Sequence, residues 1–283
     1  MTRASRSPRA ARRVRQIALL LGAILMIYPL LWLLKSALTP ENEILRSFSI
    51  IPSALTGENF ALGWNSGAGN GFPSYILNSL LVVSGCIIGN LISCSLAAYA
   101  FARLDFRLKN TMFALMLAGL MLPYHVVAVP QYLEFSQAGL VGTYWPLILP
   151  KLLATDAFFV FLMVQFLRGI PKELDEAAAI DGASPIRTFT KVILPLMVPA
   201  LITTTIFTFI WNWNDFFSPL IYLTDPRQYT VPLGLNSLVS TESGAGIGPL
   251  FAMSVVSLIP VVAFFVFTQR YIVRGIATTG LKG

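Results

Sequence analysis

Six apolar runs, each long enough to cross a bilayer as a helix, dominate this chain of 283 residues. A membrane-spanning helix needs about 20 mostly apolar residues in succession. Only 12% of the residues are charged, whereas soluble domains usually carry about 25%. We therefore expect an all-α integral membrane protein with one membrane domain over residues 17–268. The runs, taken between turn signals, predict spans at 17–38, 76–101, 111–131, 144–167, 193–223 and 249–268.

The basic residues predict how the chain is oriented in the membrane. Sixteen of the 20 Lys and Arg fall on one side of the predicted spans, and such an excess marks the cytoplasmic side. Residues 1–16 are therefore expected to form a basic cytoplasmic tail and residues 269–283 a second one, so that both termini are cytoplasmic. The first run is longer than a secretory signal and lacks a cleavage site, so it should remain as an anchor. The sixteen are Arg3, Arg6, Arg9, Arg12, Arg13, Arg15, Arg103, Arg107, Lys109, Arg168, Lys172, Arg187, Lys191, Arg270, Arg274 and Lys282.

The loop at 171–195, between the fourth and fifth spans, predicts two short helices joined by a corner. Pro171 suits a first helical position, and the acids after it complement the helix dipole. Gly182 can adopt the left-handed conformation that ends a helix. Ser184 then caps a second helix that begins at Pro185. Small alanines on this helix pair would let another protein approach closely, which favours a docking surface over a loop that only sets topology.

The same loop carries a pattern that resembles a known family. Glu176-Ala177-Ala178, Gly182 four residues later, and Val192-Ile193-Leu194-Pro195 resemble the EAA motif of binding-protein-dependent ABC transporter permeases. Val192 is the one departure, since isoleucine is usual there. The resemblance extends over nearly the whole chain and is nearest to the carbohydrate uptake branch, in its smaller, maltose-type permease subunit. Supporting segments are Asn78-Ser79, residues 98–103, Leu122-Pro123, residues 181–184 and residues 213–216.

That resemblance implies a function, partners and roles for particular residues. It implies a permease subunit of an ATP-driven sugar importer, which forms half of the translocation pathway in a bacterial or archaeal inner membrane. Residues of the EAA loop would couple this subunit to an ATPase: Glu176, Ala177, Ala178, Asp181 and Gly182. The chain has no G-x-x-x-x-G-K-[ST] phosphate-binding loop. ATP and Mg are therefore expected to bind to a partner ATPase, and this chain is expected to bind no cofactor. The implied partners are a homologous second permease in a heterodimer, an ATP-binding subunit dimer, an extracytoplasmic solute-binding protein, a sugar and membrane lipid, with no nucleic acid.

The fifth span is the least uniformly apolar and carries a polar stripe. Its members recur at helical spacing, which places them on one face: Thr204, Thr208, Trp211, Asn212 and Asp215. A carboxylate at membrane depth costs about 2.5–3.5 kcal/mol, so Asp215 should face water, a partner group or the bundle interior. Tryptophan offers a flat face and asparagine an amide, a combination suited to binding a polar ring. The stripe is a candidate translocation pathway, and an aromatic belt at the outer interface is the alternative.

Five other residues carry reactive or ionisable side chains, and the sequence predicts a structural position for each. Cys86 and Cys94 lie too far apart along one helix for a disulfide, so they are expected to be buried packing residues. Lone His125 is expected to make a structural hydrogen bond. The spacing of Lys151 and Asp156 would place them on different faces of a continuous helix.

Other function classes fit the sequence less well. An ion-coupled secondary transporter is one alternative, and it would need several ionisable groups in the middle of its spans. An ABC importer for glycerol phosphate or another non-sugar solute is the other alternative. A membrane enzyme would need a catalytic constellation or a cluster of metal ligands, and the sequence presents neither. We therefore expect no catalytic residues and no metal site.

Overall fold

The computed structural model describes residues 8–44, 46, 49, 51–52, 54–239 and 246–279. The predicted tails at 1–16 and 269–283 lie partly outside the described residues. The described part is helical and divides into two compact units, residues 1–67 with 235–258 and residues 68–234 with 259–283.

The first unit contains a long apolar helix and a carboxylate that holds the start of another helix. The most apolar window of its first helix, within Val14–Ala37, has none of its residues buried, as expected for a helix that faces lipid. The Glu41 carboxylate accepts hydrogen bonds from the backbone N–H groups of Ile247 (2.7 Å) and Gly248 (2.6 Å). Helices here are α1 (Pro8–Ala37), α2 (Glu58–Asn65) and parts of α13 (Val231–Val239) and α14 (Ile247–Thr279).

The second unit is arranged around one central helix, α3 (Phe72–Arg103). This helix packs against α6, α7 and α11, and the buried core around it includes Cys94 on α3, Phe159 on α7 and Ala200 on α11. The other α-helices that lie wholly within this unit are α4 (Lys109–Gly119), α5 (Tyr124–Gln137), α6 (Trp145–Leu152), α7 (Ala157–Arg168), α8 (Glu173–Ile180), α9 (Pro185–Thr188), α10 (Leu194–Leu196), α11 (Val198–Trp213) and α12 (Phe217–Tyr222).

Close contact between α3 and α6 depends on small residues. A Cβ atom added at Gly89 would lie 3.0 Å from the backbone carbonyl carbon of Lys151. One turn earlier, a Cβ atom at Gly85 would lie 2.9 Å from the Ile148 side chain. Small residues let helix backbones approach closely in membranes, where van der Waals packing contributes much of the association. The two glycines therefore fix how near α6 comes to α3.

Four helical segments among the described residues are long and apolar enough to cross a membrane. Two further pairs of helices pass the same test but are bent, by 104° between α4 and α5 and by 75° between Pro185–Leu196 and α11. The count is six if each bent pair is one span. The expectation of a multi-pass, all-α protein is confirmed for the described part, while six spans and cytoplasmic termini stay predictions. The four segments are Val14–Ala37, Phe72–Arg103, Trp145–Arg168 and Ile247–Gln269.

Three of the predicted spans are not the uninterrupted helices that the hydropathy pattern suggested. The span at 111–131 breaks before Pro123, which has no N–H to continue the ladder. The span at 144–167 breaks between α6 and α7, where Ala154 takes a left-handed φ of +56°. The span at 193–223 bends at Met197 and its main helix ends at Trp213. Hydropathy measures apolar length, and it does not detect a local break inside an apolar run.

Candidate functional site

A glycine corner between α8 and α9 forms the first candidate site. Gly182 has a φ of +76°, and its N–H donates to the Ala179 carbonyl at 3.0 Å. The Ala183 N–H donates to the Ala178 carbonyl at 2.9 Å. These two bonds form a Schellman motif, in which the left-handed residue turns the chain out of the helix. The predicted left-handed conformation of Gly182 is confirmed.

The second helix of the corner begins as the sequence predicts, and the first helix begins later. Ser184 Oγ accepts the Arg187 N–H at 3.4 Å, and Pro185 is the first residue of α9. Helix α8 starts at Glu173, so the prediction of Pro171 as its first residue is wrong by two positions. The Lys172 carbonyl accepts the first helical bond, from the Asp175 N–H at 2.9 Å, which leaves Pro171 outside the helix.

An ion pair attaches the corner to the central helix. Arg103, the last residue of α3, lies with its Nε 3.1 Å from Asp175 Oδ2 on α8. Its Nη2 donates to the Ile170 carbonyl at 2.7 Å. The side chains are only 4% and 20% exposed, so the attachment is shielded from solvent. Sequence reasoning assigned Asp175 to the helix dipole alone, because nothing local shows that Arg103 folds back onto it.

The outer surface of the corner is partly apolar. Ile180 is 87% exposed and Ile186 is 74% exposed, and they lie on either side of Gly182 in the sequence. Sequence reasoning missed both isoleucines, although large apolar side chains beside a charged helix are the signal that would have found them. Ala178 is buried. The other predicted coupling residues are exposed: Glu176, Ala177, Asp181 and Gly182.

A cavity of about 710 Å³ in the second unit forms the other candidate site. Side chains from α3, α5, α6, α11 and α12 line it, together with residues of the connections between helices. Trp211, Asn212 and Asp215 of the predicted polar stripe are on its wall. Thr204 and Thr208 are fully buried instead. Assignment of the five residues to a translocation pathway stays a prediction.

The polar stripe is divided by the end of α11. Trp211 is 48% exposed and lies against three phenylalanine rings, the nearest being Phe159 at 5.3 Å between ring centroids. Asn212 Nδ2 donates to the Thr208 carbonyl at 2.7 Å. Asp215 lies beyond the last residue of α11, so the prediction that it continues the helical stripe is wrong. Its Oδ1 accepts the Ser218 N–H at 3.1 Å, at the start of α12.

A partly buried polar network borders the same cavity. Lys151 Nζ lies 2.9 Å from each oxygen of the Asp156 carboxylate. Asn90 Nδ2 on α3 donates to Asp156 Oδ2 at 2.8 Å and to Thr208 Oγ1 at 3.1 Å. The prediction that Lys151 and Asp156 lie on different faces is wrong, because the chain leaves the helix at Leu153 and turns the carboxylate back.

Three remaining sequence predictions concern His125 and the cysteines. Cys86 and Cys94 are free and buried, which confirms their assignment. His125 packs edge-on against the Phe217 ring, with 4.8 Å between ring centroids. No hydrogen bond of its side chain appears among those of the described residues, so its structural contact is aromatic.

Known proteins resemble this chain in sequence and in fold. Residues 89–278 match the family described as "Binding-protein-dependent transport system inner membrane component". YurM, a probable ABC transporter permease of Bacillus subtilis, is 36% identical over 271 residues, which cover 94% of this chain and 87% of YurM. AraQ, an arabinooligosaccharides transport system permease of Halalkalibacterium halodurans, is 35% identical over 264 residues, which cover 92% of this chain and 93% of AraQ. The fold is similar to a solved bacterial ABC transporter involved in importing the acidic polysaccharide alginate, with a TM-score of 0.83, 22% identity, and 96% and 99% of the two chains covered.

Proposed function

Because the chain belongs to the family of binding-protein-dependent transport system inner membrane components, we propose that it is a permease subunit of an ATP-driven sugar importer. It spans the membrane six times, with both termini and the 171–195 loop in the cytoplasm of a bacterium or archaeon. It forms half of the translocation pathway, and a homologous second permease forms the other half.

The observation that carries the proposal is the exposed corner between α8 and α9. A Schellman motif and a serine cap make it rigid, and Arg103 attaches it to α3. Its exposed surface presents Ile180 and Ile186, and apolar side chains exposed on a rigid element are typical of a protein contact. These features support docking of an ATP-binding subunit dimer, which holds the ATP and Mg, so this subunit is not itself an enzyme.

The chemistry of the cavity supports a sugar as the solute. An exposed tryptophan face beside an amide and a carboxylate suits a ring that is apolar on its faces and carries hydroxyls at its edges. AraQ, a relative that covers most of this chain, carries arabinooligosaccharides in its name. An extracytoplasmic solute-binding protein delivers the sugar to this cavity. Glycerol phosphate is the alternative solute within the same transporter class.

Copurification in mild detergent tests the docking surface. Ile180→Asp should lower retention of the ATP-binding subunit at least tenfold, because it places a charge where apolar contact is expected. Ile51→Asp is the matched control, since Ile51 is 79% exposed and lies outside the corner. Both variants should reach the membrane at wild-type levels.

Equal retention by Ile180→Asp and Ile51→Asp would contradict the docking assignment. A chain that transports without an ATP-binding subunit, and loses transport when an ionophore collapses the ion gradient, would replace the proposal with an ion-coupled secondary transporter.

A further inference from the structure

Three charged side chains line the cavity of the second unit: Lys151, Asp156 and Asp215. Their pairing decides the sign of the charge that this subunit's cavity wall presents to a solute. From this pairing we infer that the cavity disfavours anionic solutes and takes neutral or amine-bearing saccharides. The inference rests on the proposed function, and it distinguishes between a sugar and glycerol phosphate as cargo.

The charge of Lys151 is already neutralised within the protein. Its ammonium lies 2.9 Å from both oxygens of the Asp156 carboxylate. Asn90 donates to Asp156 Oδ2 at 2.8 Å, which fixes the carboxylate in this position. An anion that entered the cavity would have to displace Asp156 before it could pair with Lys151. The pair therefore contributes hydrogen-bonding groups to the wall and no net charge.

The Asp215 carboxylate is the charge that remains. Its Oδ1 accepts the Ser218 N–H at 3.1 Å. No Lys or Arg forms an ion pair with it in the part of the chain that the structure describes, where the ion pairs involve other carboxylates. Oδ2 has no hydrogen-bond partner among the described residues. The cavity thus presents one uncompensated negative charge.

An uncompensated carboxylate in a cavity discriminates between solutes by charge. It accepts hydrogen bonds from sugar hydroxyls and pairs with an amine, whereas it repels a phosphate or a uronate. Trp211 and Asn212 on the same wall supply contacts that do not depend on solute charge. Coulomb repulsion is stronger inside a protein cavity than in bulk water. We therefore expect at least about tenfold weaker binding of an anionic probe, equivalent to about 1.4 kcal/mol.

The test measures binding to the assembled complex of both permeases and the ATP-binding dimer in lipid nanodiscs. The probes are maltotriose, chitotriose and trigalacturonate, which are neutral, cationic and anionic, together with glycerol 3-phosphate. Saturation-transfer NMR gives the dissociation constants at low salt. The two anionic probes should bind at least about tenfold more weakly than maltotriose.

Two variants at Asp215 and one control assign the effect. Asp215→Asn and Asp215→Ser remove the charge, and either side chain can still accept the Ser218 N–H, so both should bring the anionic and neutral probes within about twofold of each other. Asp225→Asn is the control, because Asp225 pairs with Arg227 and does not line the cavity. The control should keep the full difference.

The outcomes separate the inference from the proposed function. Equal binding of anionic and neutral probes by the wild type, or a preference that survives both Asp215 variants, would overturn the inference alone. Failure of every probe to bind would contradict the proposed function, because the cavity would then not be a saccharide site, and the inference would fall with it.

Discussion

The second unit should be destabilised more by the loss of one partner of the Lys151–Asp156 ion pair than by the loss of both, because a single remaining charge is left uncompensated. Asp156→Asn keeps the shape of the side chain and removes the charge that faces the ammonium at 2.9 Å. Removing one partner of a fully buried pair costs about 3–5 kcal/mol, because the other charge is left uncompensated. Each side chain here retains 23% exposure, so we expect about 2–3 kcal/mol.

The reciprocal change should cost less. Lys151→Met leaves the Asp156 carboxylate with the Asn90 amide donor at 2.8 Å, and hydrogen bonds to charged groups contribute about 1.5–3 kcal/mol. The double variant Lys151→Met with Asp156→Asn has no buried charge, so its loss should be smaller than that of Asp156→Asn alone. The expected coupling energy in this cycle is about 1–2 kcal/mol.

Unfolding of the assembled complex by sodium dodecyl sulfate in mixed micelles measures the loss in free energy of unfolding for Asp156→Asn, for Lys151→Met and for the double variant. Asp225→Asn is the control, since it removes a carboxylate of an ion pair at the surface, where such pairs contribute little to stability. A loss below about 0.5 kcal/mol for Asp156→Asn would refute the argument from burial. Additive losses in the double variant would show that the two side chains act independently.

Three further changes test other parts of the structure. Gly182→Val forces a β-branched residue into a φ of +76°, which should cost roughly 1 kcal/mol or more. This variant should lose the ATP-binding subunit during copurification. Gly22→Val, at a helical glycine with open space around it, is the control and should keep that subunit. Arg103→Gln removes the ion pair to Asp175, so the α8 amides should exchange hydrogen faster while those of α7 do not; equal rates in α8 would refute the attachment. Glu41→Gln weakens two backbone contacts at the start of α14, so exchange at those amides should rise about fivefold, in line with about 1 kcal/mol for a helix-terminal charge; an unchanged rate would show that the contacts add nothing.

The corner at Gly182 could be predicted from the sequence because its determinants are local. A glycine and a serine cap act within a few residues of their own position, so the left-handed turn and the start of α9 both follow from residue order. The common position of Trp211 and Asn212 on the cavity wall could be predicted for a similar reason, since helical spacing applies inside α11. Asp215 was misplaced because the end of α11 carries no glycine or proline signal at Asn214.

The polar network beside the cavity could not be predicted in the same way. Ala154 has a positive φ without being glycine, and no sequence rule anticipates a left-handed alanine. Ala154 lies in the break between α6 and α7 that brings Asp156 back toward Lys151. The contacts of Asn90 with Asp156 and of Arg103 with Asp175 likewise join positions far apart in the chain, and a single sequence contains no signal for such pairs.

The central helix α3 joins the two candidate sites in one rigid element. Arg103 at its last turn pairs with the corner helix α8, and Asn90 on the same helix binds Asp156 beside the cavity. At a rise of 1.5 Å per residue these attachments are about 20 Å apart along one axis. A tilt of α3 that reshaped the cavity would therefore also reorient α8. Under the proposed function, a substitution that alters solute binding in the cavity is thus expected to alter docking at the α8–α9 corner as well.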